Sequence, residues 1–377
     1  MAHLEYDVLV VGGGIAGISL AYELSATMRV GLLEMEGTLA FHTTGRSAAT
    51  WISTYGNETV RALTRASHDF LADPPAALYD HRLATPLGVI HVGGPGQSAA
   101  ISALYDEVAG LSPEAELADP ARAVAYNPTL RPDWVEAALI EHGALEVDVA
   151  GLHQGYRRGL RAHGGEIHTR ARVVGADRAG ERWVLTTAEG ATYAAPAVAV
   201  AAGAWVDELG ALLGAAPLGI EPRRRTVFMV AAEELPPPPM TISGDLDNPF
   251  YYKPDVGQLL CSPADVTLQE PCDAKPDELE IARAIEAINE ASTLGIRAIR
   301  TPWAGLRSFV ADQTPVIGWD GEVDGLFWYA AQGGYGIQTG PAAARLGAAL
   351  LRGQPLPSDI VETGFDPDRV SPRRLHR

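Results

Sequence analysis

Residues 6–17 read YDVLVVGGGIAG. The apolar run suits a strand buried on both faces of a parallel sheet, and it leads into glycines at 12, 14 and 17, the spacing G-x-G-x-x-G. Ile15, Ile18, Ala21, Tyr22 and Leu24 follow at helical spacing, and a second apolar run, RVGLLE, closes on Glu34. Each glycine answers a physical need. Gly12 permits a tight turn, Gly14 lets the backbone approach a pyrophosphate, and Gly17 lets the helix press on the sheet. Ile15 and Ala16 complete the loop, and the helix N-terminus offers N–H groups and partial positive charge to phosphates. Glu34, about twenty residues on, is where a carboxylate accepts hydrogen bonds from an adenosine ribose. Strand, glycine loop, helix, strand and acid in this order predict a bound dinucleotide in a Rossmann-like α/β domain.

The chain has 377 residues, room for such a domain and a substantial insertion. A net charge of -18 argues against a nucleic-acid partner and against docking to anionic lipid. The only cysteines are Cys261 and Cys272, with no CxxC and no His/Cys cluster at ligand spacing. Neither a disulfide scaffold nor a metal site is expected. The longest apolar region, Ala194 to Val206, is broken by Pro196 and Gly203 and is too short to span a bilayer. The strand begins by Asp7, leaving no room for a signal peptide. These features predict a cytoplasmic protein that is not integral to a membrane.

Two further stretches carry chemistry. FHTTGRSAAT (41–50) follows the second strand, where Arg46 and Ser47 offer a cation and a hydroxyl to a second phosphate, and Ala48 and Ala49 admit something flat. WAGLRSFVADQTPVIG (303–318) sets Arg307 among Trp303, Leu306, Phe309, Val310 and Val316. A guanidinium in such company is costly unless an anion sits opposite, either a carboxylate of the fold or one belonging to a ligand.

GRSAA, together with RALTRAS (61–67), LHQGYRRGLRAHGG (152–165), AAGAW (201–205), FYYKPD (250–255), TPWAGLRSFVAD (301–312), AAQGGYGIQT (330–339) and SPRRL (371–375), resembles the flavin-dependent D-amino acid oxidase and dehydrogenase family. Its bacterial D-arginine dehydrogenase branch is the most similar in pattern. The resemblance spans nearly the whole chain. It implies an FAD-binding domain built from 1–80, 145–220 and 300–377, with an inserted, mainly antiparallel β-sheet substrate domain from 81–144 and 221–299. The proline run ELPPPPM (234–240) then marks a loop of the insert, and DELEIARAIEAINEAS (277–292) an amphipathic helix.

The resemblance also assigns residues. Val173, Gly203 and Trp205 would lie along the FAD, and Gly333, Gly334, Tyr335, Gly336, Ile337, Gln338 and Thr339 against its isoalloxazine. A helix beginning near Gln338 and Thr339, with Pro341 in its first turn, would point its positive end at the flavin. Some members attach FAD through a cysteine near this block, but none follows Cys272. Others use a histidine near the position of His42. Non-covalent FAD is expected. Arg307 would grip a substrate carboxylate in a two-bond fork, helped by Tyr251, Tyr55 and Arg224, with Arg223 and Arg225 as surface charges, although a slip of one residue would put one of those two at the substrate instead. Thr50, Val89, Gly334 and Gln338 would border the substrate.

The implied chemistry is hydride transfer from the α-carbon of a D-amino acid to flavin N5, giving an imine that hydrolyses to a 2-oxo acid and ammonia. Val89 stands where D-arginine-type relatives carry an acid, so neutral or apolar side chains are expected. A secondary amine or a 2-hydroxy acid would use the same fork. A non-enzymatic flavin-binding protein is opposed by Arg307, Tyr251 and the 330–339 block, and a nicotinamide enzyme by the lack of a second G-x-G-x-x-G unit. Dehydrogenase chemistry is expected over oxidase chemistry. Electrons would pass to a quinone or respiratory carrier, with peripheral contact at the inner membrane one route. The family offers both monomers and homodimers.

Overall fold

The computed structural model describes residues 4–112, 114–231, 250–255 and 257–376. The expected proline loop at 234–240 lies outside them. At the centre is a six-stranded sheet in the order Glu166–His168, Val30–Leu33, Val8–Val11, Ala197–Val200, Leu326–Ala330, Val316–Trp319. All neighbours are parallel except the last pair. Alternation along Val8–Val11 divides the core. Val8 and Val10 face a layer that includes the helices Ile15–Ser25, Val149–Ala162 and Gly336–Arg352. Leu9 and Val11 face Trp183, Leu185 and Tyr193 of a smaller sheet (Val173–Ala179, Arg182–Thr187, Thr192–Ala195). A strand apolar on both sides is therefore what the three-layer packing requires.

The helix Ile15–Ser25 begins immediately after Gly14. Gly12 has φ of 115°, and a Cβ there would overlap the carbonyl of Ala201; one on Gly17 would overlap the carbonyl of Gly12. Gly12 and Gly17 are thus demanded by backbone packing.

A second sheet runs Tyr251–Asp255, Gln258–Ser262, Glu221–Val230, Pro302–Phe309 and is antiparallel throughout. Its back packs Phe228, Val230 and Tyr252 on Ile281, Ala284 and Ile288 of the helix Glu278–Ala291. Asp277 caps that helix through the backbone N–H groups of Leu279 and Glu280. The strand Pro302–Phe309 pairs along its whole length with Glu221–Val230. Residues 302–309, expected with the FAD-binding segments, thus share one sheet with Glu221–Val230, Tyr251–Asp255 and Gln258–Ser262. Lys253, 2% exposed, pairs with Glu146 and ties this sheet to the strand Leu145–Val147. A further small sheet pairs Val89–Gly93 with Ala137–Glu141, and Ala137–Glu141 with Ala115–Ala118. Among the described residues no helix is long and apolar enough to cross a membrane.

Candidate active site

A cavity of about 1010 Å3 runs from the glycine loop to the second sheet. At one end it is lined by Gly12, Gly14, Ile15, Ala16 and Glu34, and then by Val173, Gly203 and Trp205. Glu34 accepts from the N–H of Gly13 at 2.6 Å and of Glu36 at 2.8 Å. Burial pushes its carboxyl up from the ordinary range, and these two bonds pull it part of the way back. A carboxylate has about four acceptor sites, so two remain for ribose hydroxyls. Thr44, which the sequence did not single out, accepts from the N–H of Ile15 at 2.9 Å and lines the same wall. His42 hydrogen-bonds Glu36 through Nε2 at 2.9 Å and rests against Trp205.

Farther along lie Arg46, Ser47, Ala48, Ala49 and Thr50. Ala49 has φ of 64°, a conformation tolerated more readily by a small side chain. Arg46 was expected to offer its charge to a phosphate. Its guanidinium is instead held by Asp273 at 2.7 Å and the carbonyl of Ala304 at 2.8 Å. These bonds anchor Arg46 in the cavity wall.

The far end holds Arg307, Tyr55, Tyr251, Val89, Gly333, Gly334, Gly336 and Ile337. Arg307 Nη2 donates to Tyr55 Oη at 2.7 Å, and among the described residues no carboxylate forms an ion pair with it. Burial acts against its charge, but the phenols of Tyr55, Tyr251 and Tyr335 favour it. For Tyr55, burial would raise the phenol, yet Arg307 and Arg225 outweigh it and hold the group below its ordinary value.

Two of the three consecutive arginines fall elsewhere than expected. Arg224 is turned away from the cavity and pairs with Asp265 at 2.8 Å and Asp277 at 3.1 Å. Strand alternation is the reason: Arg224 shares a face with Thr226, Phe228 and Val230, the last two packing against the helix behind the sheet. Arg225, expected at the surface, lines the cavity with Val227, its guanidinium 5.9 Å from the Tyr251 ring centroid. Arg223 opposes Arg307 across the strands but is paired with Glu221 at 2.6 Å.

Gln338 and Thr339 are buried inside the helix Gly336–Arg352. Gln338 bonds Thr64 at 2.8 Å, and Thr339 bonds the carbonyl of Tyr335 at 2.9 Å. The helix starts at Gly336, earlier than expected, so Pro341 lies within it, and Gly336 and Ile337 present its N-terminus to the cavity. Tyr335 packs edge-on to Tyr55 and Phe309, supporting the site from behind.

The cavity has the parts an FAD requires. Its glycine loop can receive a pyrophosphate, Glu34 keeps acceptors for a ribose, and glycines and alanines form the wall near Arg307. The family model for FAD dependent oxidoreductases matches residues 7–350. The chain belongs to that family.

A glycine oxidase of Geobacillus kaustophilus (strain HTA426) is 26% identical over 97% of this chain and 96% of its own length. The crystal structure of glycine oxidase from Geobacillus kaustophilus superposes with a TM-score of 0.82 at 23% identity, covering 98% of each chain. The L-proline dehydrogenase of P. horikoshii gives 0.83 at 17% identity, over 100% of this chain and 99% of that one. These structures share the fold. FAD is the cofactor, and the protein is a flavin oxidoreductase.

Proposed function

We propose that the protein oxidises neutral D-amino acids, using non-covalently bound FAD, to 2-oxo acids and ammonia. The observation that carries this reading is Arg307: a charged guanidinium faces the cavity, held by a phenol and not by any carboxylate of the described residues. Arg225, beside Tyr251, adds a second cation without an ion-pair partner among them. A substrate carboxylate answers both charges, at about 1.5–3 kcal/mol per charge-assisted hydrogen bond.

Bound FAD would accept a hydride from the substrate α-carbon. The protein's own part is placement. Arg307 and Tyr55 anchor the carboxylate, Tyr251 and Arg225 close one side, and Gly334 leaves room beside the guanidinium. Fixing one end of a small molecule limits the directions in which its C–H bond can point, which is the main catalytic gain available here. Val89, wholly buried in the cavity wall, offers no counter-charge to a cationic side chain, which supports neutral substrates. Relation to a glycine oxidase along nearly the full length favours a second reading, with glycine or a secondary amine as substrate.

Product analysis separates the two. A chiral D-amino acid should give its own 2-oxo acid and ammonia in equal amounts, whereas glycine would give glyoxylate and ammonia and an open-chain secondary amine would release a primary amine. Hydrogen peroxide formed in the same assay would mark oxygen as acceptor; its absence, with turnover supported by an added quinone, supports dehydrogenase chemistry.

A further inference from the structure

His91 is unused in the reading above, yet it lines the same cavity. In the strand Val89–Gly93, Val89 and His91 point to the cavity while Ile90 and Val92 enter a separate core. Val89 pairs directly with Glu141 on the neighbouring strand. Glu141 sits behind His91: its side chain is 4% exposed, accepts from Thr54 Oγ1 at 2.6 Å and pairs with His91 Nε2 at 3.1 Å. Thr54 immediately precedes Tyr55, the residue that holds Arg307. The acid absent at 89 is thus supplied from across the strand pair, but with an imidazole between it and the cavity.

Burial alone would push the Glu141 carboxyl up. The His91 hydrogen bond and charge and the Thr54 hydroxyl outweigh it and hold the group ionised. An ionised carboxylate only accepts, so Nε2 carries the proton shared with it. Nδ1 has no hydrogen-bond partner among the described residues, and a carboxylate on the opposite nitrogen fixes the ring and strengthens its free edge. Thr54 holds Glu141, and Glu141 in turn orients the imidazole through Nε2.

We propose that His91, positioned by Glu141, reads the substrate side chain and selects one ending in a neutral hydrogen-bonding group such as an amide or hydroxyl. The inference rests on the carboxylate-binding role of Arg307. A ring of fixed orientation rewards an amide over an alkyl group of equal shape, since choosing the alkyl group leaves Nδ1 desolvated and unpaired. Cationic side chains gain less, because the buried carboxylate is already satisfied by His91 and Thr54.

The test compares two carboxylates that lack an α-amine and so cannot react: 3-carbamoylpropanoate and its near-isostere 4-methylpentanoate. Each is titrated into the FAD-loaded enzyme by calorimetry. The wild type should bind the amide more tightly, and His91→Leu should shift the ratio of the two dissociation constants by about fivefold to tenfold toward the alkyl ligand. Since His91→Leu leaves the charge of Glu141 with Thr54 alone, the double variant His91→Leu/Glu141→Gln is measured beside it, with the same shift expected. Binding of both ligands with a ratio unmoved in both variants overturns the role of His91 and leaves the carboxylate site standing. Failure of both ligands to bind the wild type overturns the carboxylate site and the inference with it, and a wild type that prefers the alkyl ligand overturns the inference alone.

Discussion

Gly334 lies so close to Arg307 that a Cβ on it would overlap the Nη2 and Cζ atoms of the guanidinium. The glycine is exposed to the cavity, and the atoms it would displace belong to the far end of a flexible side chain. Gly334→Ala should therefore leave the fold intact and move the guanidinium. Binding of a simple carboxylate should weaken by about tenfold or more, the worth of one charge-assisted hydrogen bond. Titration of the FAD-loaded protein with such a ligand, alongside a melting curve, checks both halves.

The three consecutive arginines should separate by their faces. Arg224 and Asp265 are both buried, and removing one member of a buried pair strands the other, at about 3–5 kcal/mol. Arg224→Ala should lower the melting temperature strongly while carboxylate affinity in the surviving folded protein stays within about twofold. Arg225→Ala should do the reverse, with affinity falling about tenfold to a hundredfold and the melting temperature little changed. The opposite pattern would place Arg224, and not Arg225, at the ligand.

Tyr55 gives the site a pH limit. Its phenol is held below the ordinary value near 10 by Arg307 and Arg225 against the effect of burial. Below its pKa the phenol is neutral and leaves the Arg307 charge to the substrate; above it the phenolate competes for that charge. Carboxylate affinity should thus decline with rising pH before pH 10 is reached, and Tyr55→Phe should move the decline to higher pH. A profile identical in the two proteins would remove Tyr55 from the role.

How much of this was readable from the chain follows from how local each signal is. The strand, the glycine loop and Glu34 interact within forty residues, and the steric need at Gly12 and Gly17 belongs to the motif itself. Arg307 was legible as a charge among apolar neighbours. Which of Arg223, Arg224 and Arg225 faces the ligand was not, since three identical side chains carry no alternation of their own. Val227 and Met229, packed with Tyr251 and Trp303, set the parity that selects Arg225. The pairing of Arg46 with Asp273 was not legible because that partner is over two hundred residues away. The His91–Glu141 pair depends on the register of two strands separated by the helix Ser98–Val108, the strand Ala115–Ala118 and the helix Pro120–Tyr126. Gln338 and Thr339 turned inward because the helix begins at Gly336.

The most direct test is anaerobic mixing of the yellow protein with paired D- and L-amino acids while flavin absorbance is followed, in the wild type and in Arg307→Ala. The account predicts bleaching by neutral D-amino acids, with D-arginine slower and L-enantiomers inert, and a rate in Arg307→Ala lower by about a hundredfold or more, as two lost charge-assisted hydrogen bonds require. Equal rates in the two proteins, or bleaching by L-enantiomers alone, would contradict it.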